Sequence, residues 1–209
     1  MLWDSLVYSL FLQMKKRKRL MNKITNLRFG LIAGMILLAA LSRLLPHPPN
    51  FTAVGAMALF GGAYLSDRRI ALLVPLLAMW VSDLILNNVV YGAYFDGFSW
   101  YGSFYVYGSF LLIALLGTTF LKKVTTGRVV GLSLSASMLF FLITNFGDWL
   151  GNPIYAQNLQ GLSMSYAAGL PFLRNALLGD LFFCGLLFGT FEWLKNQYPT
   201  LQLVRQHAE

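Results

Sequence analysis

Charged and amide side chains recur at regular places inside apolar stretches that would ordinarily exclude them. Arg43 closes one apolar run and opens RLLPHPPNFT, which adds His47 and Asn50. Asp83 and Asn87 stand one helical turn apart in VSDLILNN. TNFGDWLGN puts Asn145 and Asp148 on one helical face with Phe141 and Thr144, and Trp149 beside them. RNALLGD runs from Arg174 and Asn175 to Asp180, about 9 Å further along a helix axis. Guanidinium groups hold carboxylates or phosphates through paired N–H donors, and amides add neutral hydrogen bonds. Arg43 and Arg174 would grip a negative group, and Asn50, Asn145 and Asn175 would hydrogen-bond it. Asp83, Asp148 and Asp180 would orient the arginines or meet a cationic group on the ligand. Asp148 and Asp180 could instead form an acid–base pair, although pairing with the arginines is the simpler expectation. His47 and His207 are the only histidines and Cys184 the only cysteine, so no metal cluster, disulfide or cofactor is expected.

These groups sit in a chain of 209 residues that is 57% hydrophobic and only 11% charged, with mean hydropathy +0.61. That is too little charge to cover a soluble surface, where roughly a quarter of residues are charged. The net charge of +8 lies beside apolar segments, which speaks against nucleic acid and for a lipid bilayer. About 20 apolar residues cross the hydrocarbon as a helix. Five candidate spans are Phe29 to Leu45, Ile70 to Leu86, Phe104 to Leu121, Val129 to Phe146 and Asn175 to Leu194. A sixth, Phe51 to Leu65, is short. Counting it puts every basic loop on one side: Lys15 to Arg28, Arg68 and Arg69, Lys122 to Arg128, and Lys195 onward. Arg174 alone borders an opposite loop. The expectation is an all-α, six-helix membrane bundle with both termini cytoplasmic in the cell's inner (plasma) membrane. Its domains are a basic segment 1–28, a membrane domain 29–194 and a polar tail 195–209, frayed beyond Tyr198.

The segment before KKRKRL has Trp3, Leu6, Val7, Leu10, Phe11 and Met14 at helical spacing, as in an interfacial helix. MNKITNLRFG from Met21 is also a plausible start, which would make residues 1–20 an overlong beginning.

The short second helix matters most. Three prolines make PHPP a stiff extended turn, and Asn50 would cap the helix after it. If that helix reaches the cytoplasmic side at Asp67, its N-terminus lies below the outer surface. Irregular backbone at that depth must face protein or a watery cavity, and a buried N-terminus attracts an anion. The polar residues named above fall in the outer halves of their spans, predicting one pocket open to the outside. Two aromatic loops, with Tyr91, Tyr94, Phe95, Phe98, Trp100 and Tyr101 in one and Tyr155 and Tyr166 in the other, would be a lid or an interfacial belt. Trp149 is the ring expected to enter the pocket. Asp67, Arg68 and Arg69 are read as topology signals and loop polarity. Small residues at Gly30/Gly34 and Gly185/Gly189 permit close helix contacts.

Neither the phosphate loop of nucleotide hydrolases nor the H-E-x-x-H and G-x-S-x-G signatures occur. The segments RLLPHPPNFTAVGAMALFGGAYL, VPLLAMWVSDLIL, FLITNFGDWLGNPIY and GLPFLRNALLGDLFF resemble a family of small bacterial membrane proteins known only as a domain of unknown function. That resemblance covers Arg43 to Trp193 and implies no activity. A looser one is to the substrate-binding subunits of energy-coupling-factor transporters. It implies six helices, capture of a vitamin-like molecule near the outer face, and ATPases on separate chains. It also implies a transmembrane coupling subunit, met here by Gly30 and Gly34. The expected function is therefore non-enzymatic: capture of a small anionic or zwitterionic metabolite for uptake, energised by partner subunits. A proton-coupled carrier using Asp83 or Asp180 is one alternative, and a structural or assembly protein is another.

Overall fold

The computed structural model describes residues 2–94 and 97–202, with side chains from residue 13 onward except 17, 20 and 23. Phe95, Arg205, His207 and the side chains of Trp3, Leu6, Val7, Leu10 and Phe11 lie outside the described residues. Among the described residues the regular structure is entirely helical. The α-helices are α1 (Leu2–Leu41), α2 (Val54–Tyr64), α3 (Arg68–Ile85), α4 (Phe104–Phe120), α5 (Thr126–Gly151) and α6 (Leu159–Gln197). A 3-10 turn, Ser42–Leu44, extends α1, and a π turn, Leu86–Val90, extends α3. The segments Ile24–Leu44, Arg68–Val90, Thr126–Gly151 and Leu159–Gln197 are long and apolar enough to cross a membrane. Val54–Tyr64 and Phe104–Phe120 are shorter apolar helices.

The architecture is arranged around α2. Ten of its eleven residues are buried, so the shortest helix is the central one. It contacts α1, α3, α4, α5 and α6. Close approach to α4 requires glycine on both sides. A Cβ at Gly62 would lie 2.7 Å from the Ala114 carbonyl oxygen, and one at Gly117 2.9 Å from that of Leu59. Toward its C-terminal end, Phe60 meets Phe188 and Phe191 edge-on at 5.4 and 5.7 Å.

Both ends of α2 lie inside the bundle, and other elements satisfy them. At the C-terminus Arg28, only 8% exposed, donates from Nη2 to the Tyr64 carbonyl at 3.1 Å. At the N-terminus the Asp180 carboxylate accepts from the Ala56 N–H at 3.1 Å. A cation at the negative end and an anion at the positive end both match the helix dipole. Arg28 is thus more than a member of the basic N-terminal cluster. Tyr64 also donates its hydroxyl to Glu192, which pairs with Lys195 at 2.8 Å. Arg28, Tyr64, Glu192 and Lys195 define one end of the bundle, here the basic end.

Three local expectations are corrected. Asn50 does not cap α2; it adopts a left-handed φ of 62° in the turn, and the helix starts at Val54 after Ala53, which makes no side-chain cap. The sixth helix starts at Leu159 rather than Asn175, so GLSMSYAAGLP is helix and not loop. Asn158 caps it, accepting from Gly161 N at 2.9 Å, and Gly161, Ser165 and Gly169 form a buried small-residue face at four-residue spacing. Gly169 marks close packing on Asn145 of α5 and Gly161 close packing on the Ala156 backbone of the preceding turn, not a flexible connection. Finally, Asp67 is an N-cap of α3 rather than loop polarity, accepting from Arg69 N and Ile70 N at 2.8 and 3.0 Å.

Candidate functional site

At the end opposite the basic one, the PHPPN turn folds over the N-terminus of α2. Asn175 on α6 holds it there, donating to the Pro49 carbonyl at 2.9 Å. His47 stays exposed, its ring nitrogens 2.9 Å from the Pro48 oxygen and 3.2 Å from the Arg43 oxygen. Under the turn, Asp180 is 5% exposed. It accepts the Ser137 hydroxyl at 2.7 Å on the oxygen not used by Ala56 N. Gly55 makes room for it, since a Cβ there would lie 2.5 Å from Asp180 Oδ2. The anion predicted for this buried helix terminus is therefore the protein's own carboxylate.

The arginine–aspartate pairing is equally definite. Arg43 Nη1 lies 2.7 Å from Asp83 Oδ1 and donates to Ser82 Oγ at 2.6 Å. Tyr107 of α4 donates to Asp83 Oδ2 at 2.7 Å. Arg43 Nε is buried and has no hydrogen-bond partner. The positive charge of Arg43 is thus matched by Asp83. Asp148 is exposed and bound only by Asn152 Nδ2 at 3.3 Å. Arg174 is exposed and no ion pair involves it among the described residues.

Two adjoining hollows remain. The outer, about 230 Å³, lies between α5 and α6; Asn50, Thr144, Asn145, Asp148, Tyr155 and Ser165 are its polar residues, and Phe140, Phe141 and Phe172 add aromatic walls. The inner, about 200 Å³, is bounded by Arg43, Thr52, Gly55, Met79 and Asp180. They share Asn50, Phe140 and Ala176 and so adjoin; taken together as one cleft, their walls reach from Tyr155 to Arg43 and Asp180. On the cleft wall Arg43 is matched by Asp83 and Asp180 by the N-terminus of α2, which leaves the Asp148 carboxylate as the unmatched charge. The surplus charge is negative.

Of the residues singled out from the sequence, Arg43, Asn50, Asn145, Asp148 and Asp180 line this cleft. Asp83 stands behind Arg43. Asn175 and His47 belong to the turn, and Arg174 lies off the cleft. Asn87, in the π turn, approaches Ser99 Oγ at 3.5 Å. Trp149 does not enter the cleft: its indole N–H donates to the Ala156 carbonyl at 2.9 Å and braces the 152–158 turn. In the first aromatic loop Tyr91, Tyr94, Phe98, Trp100 and Tyr101 are exposed and line neither hollow. Sequence reasoning missed Ser137 and Tyr107. Ser137 continues the face of Phe141, Asn145 and Asp148 one turn earlier, which was a usable signal. Tyr107 had none, because only the fold brings α4 to Asp83. Among the described residues no group of three or more His, Cys, Asp or Glu could hold a metal ion. Gly30, Gly34, Gly185 and Gly189 have nothing within 4 Å of where a Cβ would stand among the described residues, which fill neither small-residue pair.

Comparison with curated proteins and with solved structures finds no match. The profile of a family of unknown function, DUF6580, matches residues 23–201, from the last basic residues before the first long apolar run to the turn after α6. Helices α2 to α6, α1 from Lys23 onward and the whole cleft fall within that range, and the chain belongs to the family of unknown function DUF6580.

Proposed function

We propose that the protein is a multi-pass membrane protein that captures a small zwitterionic or cationic metabolite in the cleft above Asp180. Six helices would insert, α2 only part-way, with the basic end and both termini in the cytoplasm of the cell's inner membrane. The observation that carries the ligand class is the imbalance of charge: Asp148 faces the cleft unmatched, while Asp180 is taken up by the terminus of α2 and Arg43 by Asp83. Phe141, Tyr155 and Phe172 add aromatic walls, and aromatic faces attract ammonium groups, most strongly where water is excluded. An ammonium group would sit near Asp148. A ligand carboxylate would be held deeper, toward the Arg43 guanidinium. A purely anionic ligand, kept open by the sequence, is disfavoured by the same imbalance. Uptake would be energised by partner subunits, as the resemblance to energy-coupling-factor substrate-binding subunits implies, with Gly30 and Gly34 as the facing surface.

The test is a thermal-shift screen in detergent with amino acids, betaines, polyamines and dicarboxylates. A ligand at a hundred times its dissociation constant adds about 2.7 kcal/mol. Stabilisation by ammonium-bearing compounds that Asp148→Asn abolishes supports the reading. Stabilisation by dicarboxylates alone, or by nothing in a broad library, overturns it, the latter in favour of a structural role.

One observation favours a second reading. Asp180 is buried at the cleft floor with no cation within ion-pair distance among the described residues, as a proton-carrying acid would be. A proton-coupled carrier predicts uptake by this protein alone in proteoliposomes, driven by a pH gradient and lost in Asp180→Asn.

A further inference from the structure

The basic end carries its own pair of hollows, which the solute reading does not use. One, about 330 Å³, lies beside α1 and α3; Arg28, Asn26 and Ser66 form its polar side and Phe29, Ile32 and Ile70 its apolar side. The other, about 420 Å³, lies at the ends of α2 and α4 and adds Arg68 and Lys122. They share Leu65 and Ser66 and so adjoin. Arg28 lines the first with its Nε buried and unpartnered, and no carboxylate lies within ion-pair distance of it among the described residues. Asp67 lines the same hollow, its Oδ1 held by the first-turn N–H groups of α3, so the two hollows together set three cations, Arg28, Arg68 and Lys122, against one carboxylate. Thr118 and Thr119 donate their hydroxyl protons to the Leu115 carbonyl, which leaves contact with an anion to the cations, Asn26 and Ser66.

The hollow is polar on one side only. From Ile70 an exposed apolar strip continues along α3 through Leu73 and Leu77, all three at least 40% exposed. A free phosphate would use the cations and ignore the strip, whereas a phospholipid uses both. We infer that these adjoining hollows hold the head group of an anionic phospholipid, its phosphodiester between Arg28, Arg68 and Lys122 and an acyl chain along Ile70, Leu73 and Leu77. Basic pockets between helices on the cytoplasmic side are suited to such head groups. The inference rests on the helices being inserted in a membrane and not on the solute site, so either can fail without the other.

The test uses the full chain in detergent micelles doped with phosphatidylglycerol or with phosphatidylcholine. Thermal unfolding and native mass spectrometry of retained lipid are the readouts, and soluble glycerol phosphate is a third arm. The variant is Arg68→Gln/Lys122→Gln; Arg28 is left intact because it caps α2. The expected result is a rise in melting temperature with phosphatidylglycerol only. Retention in the double variant should fall about fivefold per charge removed, the equivalent of about 1 kcal/mol each. A second variant neutralising Lys15, Lys16, Lys18 and Arg19 should keep the bound lipid. Equal stabilisation by phosphatidylcholine would overturn the inference, as would a full effect from glycerol phosphate. So would phosphatidylglycerol binding that survives in the double variant and disappears in the second.

Discussion

At the scale of single residues, the Arg43–Asp83 pair is the most consequential contact. Both side chains are largely buried, at 14% and 9% exposure. Breaking a buried pair from one side leaves an unmatched charge and typically costs about 3–5 kcal/mol, more than the pair itself contributes. Arg43→Ala should therefore lower the unfolding midpoint sharply in detergent. Asp83→Ala should do the same, and the double variant should lose less than the sum, because neither partner is stranded. Asp148 behaves oppositely. It is exposed and bound only through Asn152, so Asp148→Asn should leave the midpoint of the free protein unchanged and remove the ligand-induced shift.

At the scale of elements, α2 is an eleven-residue helix of about 16 Å whose ends are both held by other helices. Asp180→Ala would leave the Ala56 N–H buried without an acceptor, a loss of about 1–3 kcal/mol. Asp180→Asn retains an acceptor oxygen and should recover most of it, which thermal unfolding of the two variants would show. That contrast separates capping from proton transfer: a carrier that uses the Asp180 proton loses uptake in both variants, while stability separates them. The α2–α4 contact is the other weak point. Gly117→Ala drives a methyl group to 2.9 Å from the Leu59 carbonyl oxygen, and backbone cannot swing aside as a side chain can. The helices must separate, at a cost of about 1–3 kcal/mol.

At the scale of the whole molecule, the helices alternate in direction so that Arg28, Arg68, Lys122 and Lys195 gather at one end. The cleft opens at the other. The proposed orientation predicts which end each loop faces. A cysteine replacing Lys122 should react with a membrane-impermeant thiol reagent only from the cytoplasmic side, and one replacing Gln157 only from outside. The native Cys184 is buried and provides a low background. Labelling of both from the same side would overturn the inserted six-helix arrangement.

The sequence by itself determined the helical class, the apolar runs and the end at which charge collects, because these follow from composition and from the 3.6-residue period of local segments. It also singled out Arg43, Asn50, Asn145, Asp148 and Asp180, since ionisable and amide groups in apolar runs are conspicuous. It misread Gly161, Gly169 and Pro171 as a loop, because small residues that pack closely and small residues that bend freely look alike along one chain. Only the tertiary structure decided that Asp83 takes Arg43, that Asp180 takes the terminus of α2, and that Arg28 takes its other end. Each pairing joins residues 36 to 124 positions apart. No local pattern specifies such partners; they follow from which helix ends the packing of α2 brings within hydrogen-bond reach.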